Sequence, residues 1–327
     1  MNKIRVLAST YHGAFLYPGG GEVEIVQVMS RLQSMGIEVD MYGNTSRPLM
    51  NYDVVLHFSV HGEGYSFVET AKNADRKIIL WPNLWWTEQP KQADIANALR
   101  FFQMADLIIF KSQAELNNVR QYLEIDQTKL VIVDLPVARA FLDPVENNLF
   151  KKTYQLDAFF LWVGVLQRER HQLKTIRALA EIDMPMVFIG NNNDPEYFDE
   201  CRKIAPSNYL FIPFMPHKSK ILISAMSSCS MYIEISPEPA GLSALEAGSL
   251  GTNMVLNDSD WTDEIFENHV GKARIGDEDS IFFTVKQRMD LPTHNLELSR
   301  IIQNRHITGD PLQALVTSMK EICQTHD

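Results

Sequence analysis

Ser236-Pro-Glu-Pro-Ala-Gly-Leu-Ser-Ala-Leu-Glu-Ala-Gly-Ser-Leu-Gly251 follows an apolar run carrying Met231, Tyr232, Ile233 and Ile235, and leads into Gly-Thr-Asn-Met-Val-Leu. Pro237, Pro239 and Gly241 exclude regular structure between the two runs, so the stretch reads as strand, tight loop, helix from Leu242 to about Leu250, and strand. A helix that begins there offers unpaired backbone N–H groups and a partial positive charge, a natural seat for a phosphate. Glu238 lies on the loop and Glu246 about one turn inside the helix, so the two flank a bound anion. Carboxylates accept strong hydrogen bonds from sugar hydroxyls, which suits a ligand that carries both phosphate and sugar. Two acids that merely complement the helix dipole are the bland alternative. The strand–loop–helix–strand context favours the ligand seat.

Outward from this stretch, apolar and amphipathic runs alternate along the whole chain. The first half predicts strands over residues 4–9, 38–42, 53–59, 77–81, 105–111 and 130–134. Between them lie helices, the clearest over 22–35 with Val23, Val26, Met29 and Leu32 on one face. Ser112-Gln-Ala-Glu115 has capping-box spacing and predicts a further helix start. After the polar stretch 142–153, read as an interdomain linker, the pattern restarts with strands over 159–165, 186–190, 209–213, 231–235 and 254–257. This alternation predicts an α/β protein with two Rossmann-like domains, 1–145 and 146–310, each a parallel sheet covered by helices, followed by a final helix within 311–327.

The chain has 327 residues, 45% of them hydrophobic and 22% charged, an ordinary composition for one large or two medium domains. A formal net charge of −11 argues against nucleic acid as partner and against strong adsorption to an anionic membrane, while leaving room for peripheral membrane contact. No apolar run approaches the ~20 residues of a membrane span. The N-terminus reads as a first strand, not a secretory signal. Cys201, Cys229 and Cys323 are widely spaced and imply neither a disulfide framework nor a zinc site, so a cytoplasmic location is expected.

The Glu238/Glu246 stretch resembles the Glu-x7-Glu signature of the retaining glycosyltransferases of family 4, enzymes of the GT-B fold. Of the usual Glu-Gly-Phe-Gly-Leu-Pro-x-Leu-Glu-Ala-x-x-x-Gly, this chain keeps Glu238, Gly241, Leu242, Leu245, Glu246, Ala247 and Gly251, and has Ser243 in place of the helix-opening proline. Pro18-Gly-Gly-Gly-Glu22 resembles the family's first glycine loop, with Gly20 and Gly21 the residues nearest diphosphate and acceptor. Ala105-Asp-Leu-Ile-Ile-Phe-Lys-Ser and Lys129-Leu-Val-Ile-Val-Asp-Leu-Pro136 resemble two further family blocks. The resemblance implies two domains facing across a cleft, with acceptor side first and nucleotide-sugar donor side second, and a last helix returning to the first domain.

It also implies a metal-independent transfer of a sugar, with retention, from a nucleotide diphosphate-sugar to a glycan, lipid-linked or small-molecule acceptor. The donor is a co-substrate, and no resident cofactor is implied. Glu246 would hold the ribose, Glu238 the donor sugar, and Leu242, Ser243 and Arg170 the diphosphate.

The chain departs from the family where cations matter. In Phe160-Leu-Trp-Val-Gly-Val-Leu-Gln-Arg-Glu-Arg-His171, Gly164 is kept, but Val165 stands at the family's arginine position and Arg170 at its lysine position. Arg168 either supplies the missing charge or lies on a solvated loop, and His171 is a further donor. Asn83 aligns with the family's histidine under the donor sugar and cannot titrate. His57 and His61, the nearest histidines, read as packed or surface side chains, as does the lone Arg139. Trp81, Trp85 and Trp86 read as core packing, with stacking on an acceptor sugar as the alternative. The base would meet the backbone near Met215. These departures keep a second reading open, a catalytically weak or inactive nucleotide-sugar binder of the same fold. A phosphorylase or sugar-nucleotide epimerase on the same plan is a further rival, and a DNA-modifying glucosyltransferase is disfavoured by the acidic charge.

Overall fold

Two six-stranded sheets, parallel at every pairing, organise the chain. The computed structural model describes residues 3–16, 19–146 and 148–324, so Pro18 of the glycine stretch lies outside the described residues. Two compact units emerge, one of residues 1–136 with 310–327 and one of residues 137–309.

The first unit holds β1 (Arg5–Ser9), β2 (Glu38–Met41), β3 (Val54–Phe58), β4 (Lys77–Trp81), β5 (Leu107–Phe110) and β6 (Leu130–Ile132), in the order β2-β1-β3-β4-β5-β6. The apolar runs of β1, β3, β4 and β5 are buried on both faces, as covered parallel strands require, while the edge strands β2 and β6 are only partly buried. The helix Gln313–Gln324 belongs to this unit and packs against β6 through Leu315, Val316 and Met319.

The second unit holds β7 (Phe160–Val163), β8 (Met186–Ile189), β9 (Leu210–Ile212), β10 (Met231–Glu234), β11 (Met254–Asn257) and β12 (Gly271–Ala273), in the order β12-β11-β10-β7-β8-β9. This is the doubly wound nucleotide-fold order, with its reversal between β7 and β10. A sequence-based reading misses β12, because three residues at a sheet edge carry no apolar run. Residues 142–153, expected as a linker, instead include the helix Leu149–Tyr154. Its Phe150 is fully buried, and the helix packs on the helix Lys220–Ser228 within the second unit.

The first helix corrects two expectations. It spans Gly20–Ser34, and its buried side chains are Glu24, Ile25, Gln27, Val28 and Leu32, while Val26 is 50% exposed. Gly20 and Gly21 therefore sit in a helical first turn, neither has a positive φ, and a Cβ on either would meet nothing within 4 Å. Backbone freedom is not what these two glycines supply.

Glu24 has partners beside the buried stripe of Ile25, Val28 and Leu32. Its Oε1 accepts from Trp81 Nε1 at 2.7 Å, and its Oε2 lies 3.3 Å from Lys111 Nζ. Lys111 also donates to Asn83 Oδ1 at 2.8 Å and lies 3.8 Å from Glu115. Ser112 caps its helix by accepting from the Glu115 N–H, but the Glu115 carboxylate accepts from the Lys111 N–H, one residue outside the expected box. Burial raises the Glu115 carboxyl above the usual range, opposed by Lys111.

Two variants test this packing. A Cβ at Gly190, just past β8, would stand 2.0 Å from the Gly164 carbonyl oxygen at the end of β7. Backbone cannot yield as a flexible side chain does, so Gly190→Ala is expected to cost at least about 2 kcal/mol in urea denaturation. A cost below about 0.5 kcal/mol would show that the two strand ends do not approach this closely. Lys111→Met would leave Glu24 and Glu115 buried without their cation, at a cost of about 3 kcal/mol at neutral pH. Burial already raises the Glu115 carboxyl, and protonation removes its buried charge, so the loss should shrink as pH falls toward 5, and a pH-independent loss would contradict the network.

Candidate active site

The reversal between β7 and β10 opens a crevice at the carboxyl ends of those strands, where open α/β sheets take ligands. Segments that sequence reasoning singled out converge there. Gly164 follows β7, and the 3-10 turn Arg168–Arg170 comes next. The Pro-rich loop follows β10 and enters the helix Gly241–Ser249. Gly241 has φ +65°, a left-handed conformation that favours glycine, and it bends the chain into that helix. The first-turn N–H groups, those of Leu242 and Ser243 among them, have no carbonyl one turn earlier in the helix to bond.

Arg170 is the charged centre of the crevice. Its guanidinium lies 3.1 Å from Glu238 Oε2 and 3.6 Å from Glu234 Oε1. The two acids differ in kind. The Glu238 side chain is 48% exposed on its loop, while that of Glu234 is 2% exposed at the end of β10. Glu234 Oε2 accepts from the Tyr232 hydroxyl at 2.5 Å and from the Ser243 hydroxyl at 3.2 Å. Burial pushes the Glu234 carboxyl up to about 7, against the opposing pull of Arg170 and of both hydroxyls. Sequence reasoning missed this residue. Its signal was an acid closing an otherwise apolar strand, at the end of the sheet where ligands bind.

Glu246 is buried, and its Oε1 lies 2.5 Å from His217 Nε2, whose ring stands 6.2 Å from that of Phe141. Burial raises the Glu246 carboxyl, and His217 opposes that rise. Glu238, on the loop before the helix Gly241–Ser249, and Glu246, inside it, therefore have different partners, one a cation and the other an imidazole. His217 had no assigned role in the sequence, since 29 residues separate it from Glu246. Met215, two residues before it, is buried in the loop after β9.

Other candidates fall elsewhere. Arg168 is half exposed and forked onto Glu200 of the helix Pro195–Ile204 at 2.7 and 3.1 Å, with the N-cap Asp194 at 3.9 Å, so its charge is already engaged there. Arg139 is exposed at the start of a 3-10 turn. Asn83, in the first unit with φ +48°, spends its carbonyl oxygen on Lys111 and Trp81. His57 is fully buried beside Ser9 and stacked at 5.6 Å on Phe101, and burial lowers its imidazole to about 4, which keeps it neutral. His61 is exposed against Tyr11. Trp81 is core, whereas Trp86 is half-buried, edge-on to Tyr122 and held by Asn118 through both backbone groups.

A concavity of about 330 Å³ lies on the first unit, lined by Phe15, Val26, Met29, Ser30, Gln33 and Met41. It presents no charged group to a phosphate. Among the described residues, no three His, Cys, Asp or Glu side chains gather as a metal-binding group, and no helix is long and apolar enough to cross a membrane.

Comparison with known proteins bears on this arrangement. Residues 145–281, all within the second unit, match the family model described as glycosyl transferases group 1. No curated protein matches the chain. Among solved structures, the chain is similar to Anabaena HepE in complex with UDP and glucose, at 16% identity and TM-score 0.73, over 98% of this chain and 99% of that one. It is also similar to a sucrose-phosphate synthase of Thermosynechococcus elongatus, at 13% identity and TM-score 0.77, over 99% of each chain. A glycosyltransferase of Rickettsia africae aligns over 100% of both chains, at 12% identity and TM-score 0.76. At these identities the likeness shows the fold. The chain thus has the two-domain GT-B fold, and residues 145–281 of its second unit are similar to the group 1 glycosyl transferases.

Proposed function

We propose that the protein transfers a sugar from a nucleotide diphosphate-sugar, with retention at the anomeric carbon and without a metal ion, to a glycan, lipid-linked or small-molecule acceptor. The observation that carries this reading is the meeting of Arg170, Glu238 and a helix N-terminus at the switch point of a nucleotide-fold sheet. The Arg170 guanidinium and the N–H groups of Leu242 and Ser243 take the diphosphate, and their positive charge stabilises the leaving group as negative charge builds on the bridging oxygen. Gly164, with no side chain, lets the diphosphate approach the strand end. Glu246, steadied by His217, accepts hydrogen bonds from the ribose hydroxyls. Glu238 contacts the donor sugar, and the backbone near Met215 meets the base.

On the first unit, Gly20, Gly21 and Asn83 serve the acceptor and donor sugar, with open space above both glycines. The nucleotide sugar is a co-substrate, and no resident cofactor is needed. We place the protein in the cytoplasm, where the free thiols of Cys201, Cys229 and Cys323 remain reduced.

One set of contacts favours a second reading, that of a nucleotide-sugar binder with weak or no catalysis. Arg170 already meets two carboxylates, Arg168 is bound to Glu200, and Val165 brings no charge. A single cation would then have to stabilise the departing diphosphate.

Thermal melts of the full chain with UDP, ADP, GDP and their sugar esters separate these readings. A ligand at about a hundred times its Kd adds roughly 2.7 kcal/mol, a visible shift in Tm. Arg170→Ala is expected to weaken the stabilising ligand about 10- to 100-fold, the value of a charge-assisted hydrogen bond. Glu238→Gln should lower transfer by about 100-fold or more, and the product should keep the donor's anomeric configuration by NMR. Binding without transfer or donor hydrolysis would establish the binder. Binding that ignores Arg170→Ala would overturn the site.

A further inference from the structure

Arg170 is over-neutralised. Two carboxylates face one guanidinium, so the trio carries a net negative charge when both acids are ionised. A nucleotide sugar brings two further negative charges to the same place. Like charges this close disfavour one another's ionised forms, most of all at the buried Glu234, so the crevice is expected to shed at least one.

The two acids have different ways of yielding. Glu238 is half exposed on a loop between Pro237 and Pro239, and its carboxylate can swing into water. Glu234 cannot. It stands on β10, which pairs with β7 and β11 on either side, and its carboxyl is tied to Tyr232 and Ser243. A buried acid that cannot move sheds its charge only by taking a proton.

We propose that Glu234 is the proton-binding member of the donor site, and that a nucleotide diphosphate-sugar binds together with one proton on that carboxyl while Glu238 cedes its place on Arg170 to the phosphate. This rests on the donor site being the one proposed above. Burial, which pushes the Glu234 carboxyl up to about 7, leaves it poised to take that proton near neutrality. The groups that face it are Arg170 from the turn after β7, Tyr232 from its own strand, Glu238 from the loop, and Ser243 from the helix Gly241–Ser249. Glu246 of the same helix, bonded to His217, adds negative charge near Tyr232. Of the charged groups that act on Glu234, Arg170 favours its negative charge and Glu238 disfavours it.

By linkage, affinity is highest where Glu234 is already protonated and falls as pH rises through its carboxyl's range, by up to about tenfold per pH unit. The deprotonated acid must then acquire the proton from solvent.

Isothermal titration of the full chain with UDP-glucose, ADP-glucose and GDP-glucose tests this from about pH 6 to about pH 9. Two buffers of different ionisation enthalpy count the protons, and the phosphates of these esters do not titrate in that range. The wild type should take up close to one proton at alkaline pH. Glu234→Gln should take up none, should bind with an affinity that stays level with pH, and should bind at least as tightly as the wild type at its acid plateau. Tyr232→Phe, which deletes a hydroxyl that favours the charged carboxylate, should move the midpoint to higher pH and provides a second variant should Glu234→Gln fold poorly. Wild-type binding without proton uptake overturns the inference. So does uptake that survives Glu234→Gln, or a midpoint that Tyr232→Phe leaves in place. If none of the three esters binds, the proposed function fails and this inference with it.

Discussion

The site depends on one topological constraint, the reversal of strand order between β7 and β10. Neighbouring parallel strands that send their connections to opposite sides of a sheet leave a gap at their carboxyl ends. The residues proposed to meet the diphosphate reach that gap from one of these strands, while Met215 and His217 come from the loop after β9. The connection after β7 brings Gly164 and Arg170, and the connection after β10 brings Glu238, Gly241 and the helix N-terminus. Glu234 closes β10 itself. Glycines make the strand ends compatible: Gly190 accepts the Gly164 carbonyl at a distance no side chain allows, and Gly241 turns the chain with a positive φ.

Much of the architecture was legible in the sequence because buried parallel strands must be nearly continuous apolar runs. β4 and β11 occupy the residues expected, and most others differ by one or two at an end, where hydrogen-bond pairing and not composition sets the limit. β12 was illegible for the complementary reason. Gly271-Lys-Ala273 at a sheet edge has almost no side chain to bury, and its strand character comes from pairing with β11. The first helix shows another limit. Apolar periodicity pointed to Val26, but the inward stripe is Ile25, Val28 and Leu32, with Glu24 beside it. Glu24 was not legible as a buried residue, because its partners Trp81 and Lys111 lie 57 and 87 residues away.

The same contrast governs the site. Glu238, Glu246 and Gly241 were singled out because they stand in a spaced motif, and Gly164 and Arg170 by their place in the resembling family's first strand–loop of that domain. Glu234 and His217 were not found, since each matters through a partner distant in sequence: Arg170 for one and Glu246 for the other. What distinguishes this crevice is its electrostatic balance. Val165 supplies no cation, Arg168 is committed to Glu200, and the remaining arginine is shared by two acids. Ser243 takes part in that balance. Where the resembling family has proline, its hydroxyl bonds Glu234, so the buried acid and the altered helix start act as one unit.

The central claim is that a diphosphate sits where β7 and β10 diverge in the second unit. Hydrogen exchange of the full chain, followed by mass spectrometry with and without a saturating nucleotide sugar, tests it most directly. The account predicts slowed exchange concentrated in peptides covering residues 164–171 and 236–246. Protection confined to the first unit, or to the far edges of the second sheet with those two segments unchanged, would contradict it.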